Sequence, residues 1–130
     1  MSSRASATFE ITSWEETAYD EPADGPKLSR ATVKKTFKGE VEGESTAELL
    51  MCQAEGGAGY LASERVVGRV GERTGSFVVQ HGGINDGGAT RTFGYVVAGS
   101  GTGGLQGLSG EAGYQHDERG ASFVLDYDIV

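Results

Sequence analysis

A chain of 130 residues with a net charge of −8 and one cysteine suits one domain, forms no intrachain disulfide, and is a poor partner for nucleic acid or an anionic membrane surface. Glycine supplies 22 residues, whereas Leu, Ile, Val and Phe together make only 26 of the 130. With two prolines and apolar residues in alternating runs, this composition describes a small β-structured core turned by glycine, not a disordered chain.

The opening stretch MSSRASATFEITSW has no apolar signal core, and no run reaches transmembrane length. The expectation is a cytoplasmic protein, one domain over residues 1–130, with residues 1–6 as a flexible lead. No segment keeps a helical period over ten residues; STAELLMCQA comes nearest but lies between strand-like neighbours. Period-two alternation predicts eight strands, at 7–14, 28–38, 44–53, 59–70, 73–82, 89–98, 110–115 and 121–129. The first carries Thr8, Glu10, Thr12 and Trp14 on its outward face. The acidic run EETAYDEPAD that follows has no EF-hand spacing and reads as a solvated loop. Eight strands with little or no helix predict an all-β, antiparallel barrel or sandwich.

Two hairpins can be tested for register. Around KGEVEGE, a turn centred on Val41 sets Lys38 opposite Glu44, Thr36 opposite Thr46 and Lys34 opposite Glu48. The other face then holds Phe37, Val33 and Ala31 opposite Ser45, Leu49 and Met51, with Lys35 also pointing inward. The basic run 27–38 and the acidic run 40–48 thus answer each other as a solvated face. The second hairpin turns at Gly71-Glu72, where glycine suits the first central position of a type II′ turn. Its apolar face pairs Gly68 with Gly75, Val66 with Phe77, Glu64 with Val79 and Ala62 with His81. A carboxylate and an imidazole therefore share the interior as diagonal neighbours.

The stretch GSGTGGLQGLSG literally contains G-x-G-x-x-G. A dinucleotide site needs a helix next, which Gly107, Gly110 and Gly113 forbid, and no Lys-Ser or Lys-Thr follows as in a P-loop. It reads as a tight corner with Leu105 and Leu108 closing one end. Two distant histidines do not make a zinc site, His116 reads as part of a polar turn, and Cys52 as a small side chain at a strand end. No metal and no cofactor is called for.

Taken in order, FEITSWEETAYDE, GPKLSRATVKKTFKGEVEGEST, SERVVGRVGERTGSFVVQHGG, GSGTGGLQGLSG and FVLDYDI resemble a bacterial domain-of-unknown-function family (DUF3224). Its setting is the allene oxide cyclase and dirigent-like superfamily, and the resemblance spans about residues 7–129. It implies a single eight-stranded antiparallel β-barrel with a mainly apolar lumen, often packed into oligomers. It supplies no activity and no catalytic residue.

The functional candidates come from the residues themselves. Glu64 is the candidate general base or cation stabiliser and His81 its acid or orienting partner. Lys35, Met51, Tyr60, Phe77, Val79, Tyr95 and Tyr127 are the expected lumen contacts for a small apolar metabolite, with isomerisation or cyclisation as the reaction class if the protein is an enzyme. The alternative is a non-catalytic guiding or structural barrel, in which Tyr60, Tyr95 or Lys35 merely satisfies a buried Glu64–His81 pair. A homo-oligomer is expected, with Trp14 as an interface anchor.

Overall fold

The computed structural model describes residues 2–130. All its regular elements are strands: β1 (Ser3–Asp20), β2 (Lys27–Gly39), β3 (Val41–Ala54), β4 (Gly57–Val70), β5 (Arg73–Asn85), β6 (Thr90–Val96), β7 (Thr102–Gly103), β8 (Leu108–Asp117) and β9 (Gly120–Ile129). They form one antiparallel sheet in the order β4-β3-β2-β1-β9-β8-β6-β5-β7, and a further β4–β5 pairing closes it in a ring.

The count is nine strands rather than the eight predicted, and the glycine-rich stretch supplies the extra one. β6 runs beside Val79–Asn85 of β5 and then ends. Thr102 and Gly103 take its place beside Ser76 and Gly75. Gly75 is obligatory there, because a Cβ would overlap the Thr102 carbonyl oxygen. Leu105 and Leu108, both buried, then close this end.

The second hairpin has the predicted register, with Glu64 opposite Val79 and Ala62 opposite His81. Gly71 turns it at φ +59. The first hairpin differs by two residues. Its turn falls at Gly39-Glu40, with Gly39 at φ +128, and Val41 is a fully buried strand residue. Thr36 therefore faces Glu44, Lys34 faces Thr46 and Thr32 faces Glu48, in place of the predicted Lys38–Glu44 and Lys34–Glu48 pairs. A two-residue shift preserves the faces, so Lys35 still points inward and is buried.

The first strand also differs. It continues to Asp20, so Glu15, Glu16 and Asp20 belong to a strand and not to a loop. A bulge between Ile11 and Ser13 adds one residue and switches the faces. Trp14 consequently lies opposite inward-facing Val33, on the inner side and not on the outer face predicted for it.

The interior is layered along the strands. One end is filled by an apolar cluster that includes Phe9, Phe37, Val41, Val66, Val70, Phe77, Leu105, Phe123 and Leu125. A smaller cluster of Ala31, Val33 and Ala47, with Leu49 and Met51 packed against it, lies toward the other end. Between them sits a polar layer of Lys35, Ser45, Glu64 and His81, all buried.

Candidate functional site

Strand alternation alone delivers the polar layer: β2, β3, β4 and β5 each point one polar side chain inward at the same height. Glu64 is 0% exposed and its carboxylate accepts four hydrogen bonds. Oε1 receives Lys35 Nζ at 3.1 Å, His81 Nε2 at 2.8 Å and Tyr114 OH at 3.0 Å, while Oε2 receives Ser45 Oγ at 2.6 Å. The Lys35 ammonium also lies 4.8 Å from the centre of the Phe9 ring and 4.7 Å from that of Tyr114, within cation–π range. It neutralises Glu64 inside the protein.

His81 continues the chain outward, its Nδ1 lying 3.0 Å from Tyr60 OH. In the Nε2–H tautomer, Nε2–H donates to Glu64 and Nδ1 accepts from the Tyr60 hydroxyl. The network thus runs hydroxyl, imidazole, carboxylate. Burial alone would raise the Glu64 pKa, but the His81 hydrogen bond, the Lys35 charge and the Ser45 hydrogen bond outweigh it and hold Glu64 at about 2. Burial and the Glu64 charge push Tyr60 up and Tyr114 well above the usual phenol range.

Above this layer the ring opens into a mouth, a cavity of about 390 Å³ bordered by Trp14, Leu49, Met51, Tyr60, Ile84 and Thr92 among others. Tyr60 belongs to both regions, bordering the cavity and placing its hydroxyl on His81. Larger hollows, of about 810 and 530 Å³, run along the outer face of β2–β5 beside side chains such as Lys34, Thr46 and Arg65, or Arg30, Glu48 and Gln80. Inward-facing network residues border these hollows too, Lys35 and Ser45 the first and His81 the second, whereas the mouth meets the network through Tyr60. Among the described residues, no group of three His, Cys, Asp or Glu side chains could hold a metal ion.

The predicted site residues separate into groups. Glu64, His81, Lys35 and Tyr60 meet in the network, and Met51 joins Tyr60 at the mouth. Phe77 and Val79 are spent in the packed core, and Tyr127 packs against it. Tyr95 stands apart on the outer face, stacked against Phe93 at 6.4 Å, so it satisfies neither Glu64 nor His81. Ser45, Tyr114 and Trp14 were not among the predicted site residues. The alternation Ala112–Tyr114 on β8 marks Tyr114 as inward, while the bulge in β1 hides Trp14.

A family model described as "Protein of unknown function (DUF3224)" matches residues 5–127. Among solved structures, a 1.84 Å crystal structure of a DUF3224-family protein of unknown function from Shewanella oneidensis MR-1 aligns with a TM-score of 0.91 at 32% identity, covering 100% of this chain and 99% of that one. No curated protein matches the chain.

Proposed function

The chain belongs to the DUF3224 family, and within that fold we propose a binder of a small, largely apolar molecule seated in the mouth, with proton-transfer chemistry of the isomerisation or cyclisation class. The observation that carries this reading is the position of Tyr60, which connects an apolar cavity to a buried charged network. Barrel stability does not call for such a network, since well-packed apolar residues of similar volume stabilise an interior as well or better. Kinship with the allene oxide cyclase and dirigent-like superfamily belongs to the same proposal. Its support is the glycine-rich stretch between β6 and β8 and a closed antiparallel sheet around an apolar interior.

A structural role is the second reading, and one observation favours it: both oxygens of the Glu64 carboxylate are hydrogen-bonded from within the protein. Native mass spectrometry of the purified protein, combined with melting of Glu64→Gln and His81→Asn, separates the two. A site for a ligand predicts a small molecule bound to the wild type, with both variants still melting cooperatively. Loss of several kcal/mol in both variants, with no bound molecule in the wild type, assigns the network to architecture.

A further inference from the structure

We propose that Tyr60 is the catalytic residue of this site, exchanging a proton with a neutral, planar molecule held in the mouth, while His81 takes and returns the phenolic proton. This rests on the reading of the mouth as a ligand site and says which atom does the chemistry there. Glu64 has no part free to meet a ligand, being 0% exposed with four donors on its two oxygens. His81 is only 4% exposed, with one ring nitrogen on Glu64 and the other on Tyr60. A proton entering or leaving this chain therefore passes through the Tyr60 hydroxyl. The order hydroxyl–imidazole–carboxylate is that of the hydrolytic triads, in which the imidazole removes the hydroxyl proton and the carboxylate steadies the imidazolium. A phenol gives up its proton far more readily than a serine hydroxyl, which suits proton shuttling.

The position of the Tyr60 ring is built in. Tyr60 lies opposite Gly83, where a Cβ would come 3.1 Å from the ring's Cε1. Glycine at 83 leaves the ring room to lie beside His81.

The mouth sets the substrate class. Its walls are Trp14, Leu49, Met51 and Ile84, with Thr92 and Asn85 as neutral polar groups, and none of the residues bordering it is charged. Glu16, bonded to Trp14 Nε1 at 3.0 Å, and the net charge of −8 disfavour an anion. A neutral, flat, conjugated molecule fits these walls. In the step, a substrate C–H bond breaks and its proton goes to the Tyr60 oxygen as the Tyr60 proton moves to His81 Nδ1. The electron pair stays on the substrate, delocalised or used to break a bond within it. Return of the proton to a different atom completes an isomerisation and restores the starting imidazole.

The probe 5-nitrobenzisoxazole is neutral and planar and carries one acidic C–H. Its removal breaks the ring N–O bond, forms a nitrile and leaves a coloured phenolate, with no other reactant. Trp14 is the only tryptophan and borders the mouth, so quenching of its fluorescence reports binding separately from turnover. The expected result is saturable quenching, with ring opening faster than in buffer. Tyr60→Phe and His81→Asn should lower that rate by about 10²–10⁴-fold, with quenching affinity nearly unchanged. Gly83→Ala, which crowds the Tyr60 ring, should lower the rate at an unaltered fold by circular dichroism. Absence of quenching would overturn the mouth as a ligand site, and this assignment with it. Quenching with a rate indifferent to Tyr60→Phe would overturn this assignment alone.

Discussion

At the scale of single residues, the buried carboxylate makes the sharpest physical statement. Glu64 is held at about 2 against an ordinary 4.5, so its ionised form favours the folded state. That contribution is complete above pH 4.5 and is lost as pH falls toward 2, and about 2.5 units correspond to on the order of 3 kcal/mol. Urea unfolding from pH 7 down to pH 2 should show this loss in the wild type and a flatter acid limb in Glu64→Gln; parallel limbs would contradict the depressed pKa. Tyr60 and Tyr114 have the opposite sign. Their raised values stabilise the fold below pH 10, and that support is lost as pH rises further, so spectrophotometric titration should find late-ionising phenols that Tyr60→Phe and Tyr114→Phe remove. Lys35→Met removes the counter-charge and strands a buried carboxylate, for an expected loss of about 3–5 kcal/mol in chemical denaturation.

At the scale of the element, registers and glycines make the predictions. Glu48 lies 3.4 Å from Arg30 and opposite Thr32, not opposite Lys34. A double-mutant cycle on Arg30 and Glu48 should show coupling of about 0.2–1 kcal/mol, and one on Lys34 and Glu48 none. β3 and β4 meet at the pair Gly43–Gly68, where a Cβ on Gly68 would overlap the Glu42 carbonyl oxygen. Gly68→Ala should therefore cost about 1–3 kcal/mol by forcing the strands apart, read as a lowered melting temperature. The same elements show what was legible in the sequence. The Gly71-Glu72 turn leaves one good register, and Glu64 and His81 could be set side by side from it. KGEVEGE offers two glycines and thus two turns, separated only by whether Val41 is buried. Nothing in FEITSW marks the bulge at Thr12, so strict alternation puts Trp14 on the wrong side. In Phe93-Gly94-Tyr95-Val96 the glycine takes an inward place beneath the Ala112 carbonyl, which sends both aromatic rings outward against the usual preference for burying them.

At the scale of the whole molecule, that outward pair bears on assembly. Leu50 lies opposite Leu61, Leu61 opposite Gly82 and Gly82 opposite Phe93, so one row across β3, β4, β5 and β6 is apolar on the outside. The Phe93 ring lies over Gly82, where a Cβ would come 2.7 Å from it. Ile84 and Tyr95 extend the row along β5 and β6, and all five side chains are between 46% and 63% exposed. Contiguous apolar surface of this kind marks interaction sites on soluble proteins. The row lies on the outer face of these strands, so contact between copies through it is expected face to face. The self-association expected of this protein thus moves from Trp14, which faces the mouth, to the row around Leu61. Light scattering at micromolar concentration should give a dimer or larger species for the wild type and for Trp14→Ala, and a monomer for Leu61→Glu. Ile84 borders both this row and the mouth, whereas Leu61 is absent from the mouth's walls. If Leu61→Glu is monomeric and still quenches Trp14 with the probe, assembly and binding are separate properties. A wild type that stays monomeric at these concentrations would leave the row to a partner other than a second copy.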